Sequence, residues 1–184
     1  MLTLLLACTP TTLDEADSSA PDTSTDSAAP ADSGETAEPP ILPDAPFRVY
    51  AVRHAEKGSG TDPDLTEEGH ARAQALATLL HDVELHAAYA TEYLRTQQTV
   101  QPTADDHGLK VHTELDPEEE LAHHLLGEHG GDTVVHAGHS TSLGDFFYAL
   151  GAESFDPVDG YGQLWILDVD VTGEVVVELS SYGE

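Results

Sequence analysis

The chain has 184 residues and sets 35 Asp and Glu against six Lys and Arg, a formal net charge of −29. Such a field repels nucleic acid and anionic lipid surfaces, whose binding needs clustered cations that this sequence lacks, so neither is expected as a partner. The length suits one domain with some accessory sequence, and a single Cys excludes a disulfide framework.

Residues 1–8 read Met-Leu-Thr-Leu-Leu-Leu-Ala-Cys, an apolar run closing on that single Cys. The segment resembles the lipobox of bacterial lipoproteins, which implies signal cleavage and lipidation at Cys8. No stretch approaches the ~18 to 20 apolar residues of a spanning helix, so membrane attachment is expected only through a lipid anchor. The expected location is extracytoplasmic, on a bacterial membrane. Residues 9–46 are dominated by Asp, Glu, Ser, Thr, Ala and Pro and contain no aromatic residue. They bury too little apolar surface to offset the entropy of ordering, and read as a disordered acidic linker of the kind that tethers an anchored domain.

Residues 47–184 form the domain, with 26 of the acids and a net charge of 6 − 26 = −20. Phe47–Val52 is an apolar, β-rich run that predicts a buried strand ending at Arg53-His54. A polar loop follows over 58–65. Thr66 then caps a helix with Glu67 and Glu68 in its first turn, and Ala73, Leu76, Ala77 and Leu80 fall on one face as far as about His81. His70 and His81 lie on the wet side. A short strand over Ala87–Thr91, a helix over Glu92–Asp106 and a strand over Lys110–His112 come next. An acidic helix over Pro117–Glu128 precedes a buried strand over Asp132–Ala137, which leads through Gly138-His139-Ser140 into a helix over Ser142–Leu150. Gln163–Val169 and Glu174–Leu179 alternate around Thr172-Gly173 and read as a hairpin on the sheet edge. The fold class is therefore α/β: a three-layer α/β/α sandwich with a mostly parallel sheet and a C-terminal edge hairpin.

Ligands of open α/β sheets bind at the carboxyl ends of the strands, where Arg53-His54 and Gly138-His139 both fall and near which Arg95 begins a helix. Each is ambiguous alone. Arg95 reads equally well as a surface partner of Glu92, and His139 as a helix cap. Four segments taken in order are more specific: Val52-Arg53-His54-Ala55, Asp64-Leu65-Thr66-Glu67-Glu68-Gly69, Thr91-Glu92-Tyr93-Leu94-Arg95-Thr96-Gln97-Gln98-Thr99, and Ala137-Gly138-His139-Ser140. Together they resemble the motifs of the histidine phosphatase superfamily, the phosphoglycerate mutase-like family, in its short phosphatase type. Ala55 stands where the family usually has Gly, and Thr91 where it often has Ser.

The resemblance implies a phosphomonoester hydrolase with His54 as nucleophile, and Arg53, Arg95 and His139 around the transferring phosphoryl group. Arginine forks and a positioned imidazole suit that chemistry, in which negative charge spreads over three equatorial oxygens. The general acid is less defined. Glu118 is the first candidate within Asp116, Glu118, Glu119 and Glu120, although these acids read equally well as a helix first turn; Glu56, beside the nucleophile, is the second. Lys57 would help attract phosphate, and Tyr93, His107, Phe155 and Tyr161 are candidate pocket walls.

The expected substrate is a small phosphomonoester or a phosphoprotein, and the expected state a monomer. No metal or cofactor is expected: the domain has no thiol and no His-Glu-x-x-His helix, and the three-residue spacing of His136 and His139 separates them on a strand. Two other readings stand beside hydrolysis, a phosphate-binding or interaction lipoprotein without turnover and a phosphomutase. The few residues between Leu109 and Asp132 offer little to cover a mutase site.

Overall fold

The computed structural model describes residues 40–115 and 117–183. Cys8, the rest of the 1–8 segment, linker residues 9–39 and Asp116 lie outside the described residues. Residues 40–46, assigned to the linker from composition, belong with the domain. Pro43 is buried and the Pro46 carbonyl accepts from Gly131 N at 3.1 Å, so a composition shift at Phe47 marks the first strand rather than the edge of the compact unit.

Six strands and four helices follow one another as β1 (Phe47–Arg53), α1 (Glu67–Leu80), β2 (Ala87–Ala90), α2 (Leu94–His107), β3 (Val111–His112), α3 (Glu118–Glu128), β4 (Thr133–Gly138), α4 (Leu143–Leu150), β5 (Gln163–Val169) and β6 (Val175–Ser181). They form one sheet in the order β3-β2-β4-β1-β5-β6. Pairing is parallel from β3 to β1 and antiparallel from β1 through β5 to β6, the expected parallel sheet with an edge hairpin.

Alternation along the strands builds two cores. Val49 and Ala51 of β1 face α3 and α4, packing with Leu121, Leu125, Phe146, Phe147 and Trp165. Tyr50 and Val52 face α1 and α2, with Leu76, Leu80, Val100 and Ala104. Successive side chains of a strand point to opposite faces, so a stretch covered on both sides must be apolar, as Val49–Val52 of β1 and Ala87–Ala90 of β2 are; β4 departs from this at His136. The outer strand β6 alternates instead between half-buried and exposed positions at its start and is exposed beyond.

The α1 start follows expectation: Thr66 Oγ1 accepts from Gly69 N at 3.1 Å, and the helix buries Gly69, Ala73, Leu76, Ala77 and Leu80. By contrast α2 starts at Leu94, later than Glu92. Tyr93 stays extended at its N-cap, and Asp62 Oδ1, from the loop before α1, accepts from Leu94 N at 3.0 Å.

The site is positioned by strand register. Arg53 pairs with Gly138, and Ala90 with Ala137, so β1, β4 and β2 end nearly level. Backbone bonds run past the pairing: His54 N donates to Gly138 O at 3.0 Å and Thr91 N to Ala137 O at 3.4 Å. His54, His139 and Thr91 are thereby fixed in a row at the carboxyl edge of the sheet.

Candidate active site

His54 is the first residue beyond β1 and only 4% exposed. Its Nδ1 lies 2.8 Å from the Ala55 carbonyl. A carbonyl oxygen only accepts, so Nδ1 carries the hydrogen and a neutral ring keeps its lone pair on Nε2. Burial pushes the imidazole down to about 4, with the charges of Arg53, His139 and Arg95 adding to the effect and the Ala55 bond opposing it. At neutral pH His54 is an uncharged base among cations.

The turn after His54 is held by the second and third motifs. Ala55 N donates to Thr99 Oγ1 at 2.9 Å, and Thr99 Oγ1 donates to Arg95 O at 2.7 Å. The Ala55 methyl is buried against Leu65 and Ala73, so the side chain that replaces Gly here is packed rather than intrusive. Leu65 N donates to Gln98 Oε1 at 2.9 Å, and Gln98 Nε2 to Asp64 Oδ1 at 2.8 Å. Glu56 O accepts from Thr66 N at 2.8 Å, which brings the first turn of α1 against the loop. A Cβ on Gly69 would meet that carbonyl at 2.1 Å. Only glycine allows this approach, which gives the Leu-Thr-x-x-Gly pattern its physical meaning.

The Glu56 side chain, the second candidate for general acid, is held by Arg72. Arg72 Nε contacts both its oxygens at 2.8 and 2.9 Å, and Arg72 Nη1 reaches the Gly183 carbonyl at 2.9 Å. Burial would raise the Glu56 carboxyl, but the Arg72 guanidinium outweighs it and holds the group below the usual carboxylate range. Arg72 was invisible as a site-supporting residue because its partner lies 16 positions away in another motif.

Thr91, Thr96 and His139 form a hydroxyl-imidazole chain. His139 Nε2 is 3.0 Å from Thr91 Oγ1, which is 2.8 Å from Thr96 Oγ1. Threonine thus supplies the hydroxyl that the family's usual Ser would. The His54 and His139 rings meet edge to face, with centroids 5.5 Å apart.

Both arginines are placed by neighbours that leave donors unused. Arg95 stacks on Tyr93 at 4.2 Å and approaches Asp62 Oδ1 with Nη1 at 3.5 Å. Arg53 stacks on Tyr161 at 4.5 Å and donates from Nη1 to Asp159 O at 3.3 Å. Nε of each is buried and has no hydrogen-bond partner among the described residues. Two guanidinium groups with unused donors, a second imidazole and a neutral Nε2 are groups suited to a tetrahedral oxyanion.

Comparison with known proteins agrees with this geometry. The family model of the histidine phosphatase superfamily (branch 1) matches residues 49–133. Over that stretch the chain is similar to the histidine phosphatase superfamily. The matched stretch ends before Gly138-His139, which strand register places beside His54. No curated protein matches the chain. Solved structures match in fold. The protein histidine phosphatase SixA complexed with tungstate is 20% identical, with 73% of this chain and 96% of that chain covered and a TM-score of 0.61. A mycobacterial glucosyl-3-phosphoglycerate phosphatase is 13% identical, with coverage of 75% and 99% and a TM-score of 0.56. A phosphoserine phosphatase mutant from Entamoeba histolytica, in complex with phosphoserine, is 17% identical, with coverage of 75% and 97% and a TM-score of 0.55.

Around this candidate site the remaining residues divide. Tyr93 and Tyr161 flank it. His107 instead bonds the Leu80 carbonyl through Nε2 at 3.1 Å, and Phe155 packs on Phe147 and Tyr148, so both are structural. Lys57 is exposed and bridges only to Leu65 by backbone. His136 and His139 do not converge, and among the described residues no group of three or more His, Cys, Asp or Glu is placed to hold a metal ion.

Glu118, expected as general acid, is sealed behind β4 at 4% exposure. Its Oε1 accepts from Ser142 Oγ at 2.5 Å and its Oε2 lies 3.5 Å from His136 Nε2, an ion-pair distance rather than a hydrogen bond. Burial works to raise this carboxyl, yet His136, Ser142 and the charge of His139 together hold it below the ordinary value. An ionised, enclosed carboxylate does not donate a proton to a leaving group. Glu119 and Glu120 are exposed.

The buried neutral state of His54 has a measurable consequence. Above an ordinary histidine value of 6.5, folded and unfolded chains both carry a neutral ring. As pH falls from there toward the folded value of about 4, the unfolded chain gains the proton first, and stability is lost. His54→Asn should therefore gain stability relative to the wild type on going from about pH 7 to about pH 5, measured by urea unfolding. A stability difference that does not change with pH would contradict a buried neutral imidazole.

Proposed function

We propose that the protein is a phosphomonoester hydrolase that works through a phosphohistidine on His54 Nε2. The observation that carries this reading is the Nδ1 contact to the Ala55 carbonyl, which leaves Nε2 unprotonated in a buried ring surrounded by cations. Nε2 attacks phosphorus in line with the departing oxygen, whose bond to phosphorus breaks as the N–P bond forms and which leaves as the alcohol with a proton taken from solvent. Arg53 and Arg95 neutralise charge on the equatorial oxygens, and His139 contributes an N–H to one of them. Water then attacks the phosphohistidine, releasing inorganic phosphate and regenerating His54. Arginine is suited to this role because its charge is permanent and its donors form a fixed fork.

The substrate class proposed is a small phosphomonoester or a phosphate presented locally on a protein. The solved structures of similar fold include enzymes for both kinds, a protein histidine phosphatase and a phosphoserine phosphatase. The acidic surface supports the same reading, since a long polyanion would meet repulsion everywhere beyond the two arginines.

Hydrolysis of an aryl phosphate should proceed in EDTA and fall at least ~1,000-fold in His54→Ala, with Arg95→Ala costing about 100-fold or more. Wild-type turnover by His54→Ala would overturn the mechanism. Loss of activity in EDTA would overturn metal independence.

We also propose that the domain is anchored by lipid at Cys8, a reading supported by the sequence of residues 1–8. Cys8→Ser should release the protein from membranes and remove its palmitate label. Membrane retention with unchanged labelling would contradict the anchor.

A further inference from the structure

The described part of the domain buries a charged cluster that the proposed chemistry does not use. Glu118 and His136 are 4% and 1% exposed, both ring nitrogens of His136 lack hydrogen-bond partners among the described residues, and so does Glu118 Oε2. Burying a carboxylate is costly unless its charge is met, so a cluster of this kind calls for an explanation.

Its place in the fold supplies one. Glu118 is the first residue of α3, and its carboxylate lies directly behind Gly138, where a Cβ would stand 2.6 Å from Oε1. The same oxygen takes the hydroxyl of Ser142, the residue before α4. Ser142 N and Leu143 N in turn donate to the His139 carbonyl at 3.2 and 2.9 Å. One buried carboxylate therefore touches both ends of the turn Gly138–Ser142. His136 approaches from β4 with its ring against Phe146, which closes the cluster to water.

We propose that Glu118 is a positioning residue for His139, bracing the β4–α4 turn through Ser142 and supplying the fixed negative charge that an imidazolium at His139 faces from within the protein. The assignment rests on the reading of His139 as a phosphate-contacting donor. It gives the two histidines of the site opposite settings. His54 is kept neutral by burial and by neighbouring cations, whereas the Glu118 carboxylate lies against Gly138, the residue before His139. Among the titratable groups that face His139 are His54 beyond β1 and Tyr93 before α2; Glu118 of α3 faces His136 of β4 and the Ser142 hydroxyl. The plain alternative, a carboxylate that merely favours the start of α3, predicts no link to His139.

The full-length protein with isotope-labelled histidine separates these readings by NMR titration. Glu118→Gln keeps the shape and removes the charge, and should lower the His139 midpoint by about one unit while kcat/KM for an aryl phosphate falls about tenfold or more. An unchanged His139 midpoint would overturn the proposal. Ser142→Ala keeps the charge and removes the brace, so amide exchange at Ser142 and Leu143 should accelerate about tenfold or more; unchanged exchange would overturn the bracing role even if Glu118→Gln fails to fold. Both readouts are independent of turnover. A wild type without phosphatase activity would overturn the proposed function, while a lowered His139 midpoint in Glu118→Gln would still support the positioning role.

Discussion

A single backbone hydrogen bond, from His54 N to Gly138 O, ties the two histidine-bearing strand ends together one residue past the β1–β4 ladder. Parallel pairing of β1 with β4 makes this bond available, because Arg53 and Gly138 are register partners. With β2 ending at the same level, the Thr91 hydroxyl falls beside His139. A shift of register would part these groups and turn alternate residues of β1 from one core to the other. The apolar pattern that builds the two cores therefore also sets the geometry of the site.

Charge is distributed with similar economy. Of the six cations, Arg48 is paired with Asp168, Arg72 with Glu56 and Lys110 with Glu114, while Lys57 is exposed on the loop after His54. The Arg48 and Lys110 pairs are exposed and contribute little. The Arg72 pair is more enclosed, at 14% exposure for each side chain, and joins the loop after His54 to the C-terminal segment through Tyr182 and Gly183. Arg53 and Arg95 remain for the site, each stacked on a tyrosine that fixes its plane without neutralising it. Asp62 holds Arg95 at 3.5 Å and also accepts from the α2 backbone, so one exposed acid aligns both the helix and its guanidinium.

Most of the architecture was legible in the sequence because it is written in local periodicity. Every expected strand and helix is present, with ends displaced by a residue or two where capping depends on distant groups, as at Leu94 under Asp62. The placement of His54, Arg53, Arg95 and His139 at the carboxyl end of the sheet was legible from motif order and strand ends. The roles of the acids were not. Glu56 beside His54 and Glu118 on an acidic helix start both looked like proton donors, since sequence cannot reveal that Arg72 grips the first and that Ser142 and His136 enclose the second. The contributions of Thr99, Gln98 and Asp62 were hidden for the same reason, because each acts through a contact between separate segments. Likewise, the domain's beginning ahead of Phe47 depends on the burial of Pro43 and on a backbone bond from Gly131 to the Pro46 carbonyl, which composition cannot register.

The central claim is that His54 Nε2 forms a covalent bond to phosphorus. Rapid quenching of the protein with a radiolabelled phosphomonoester, followed by peptide mapping, tests it most directly. The account predicts acid-labile, base-stable label on the peptide that contains His54, formed and discharged fast enough to support turnover. Label on another residue, or hydrolysis with no kinetically competent phosphoenzyme, would contradict it.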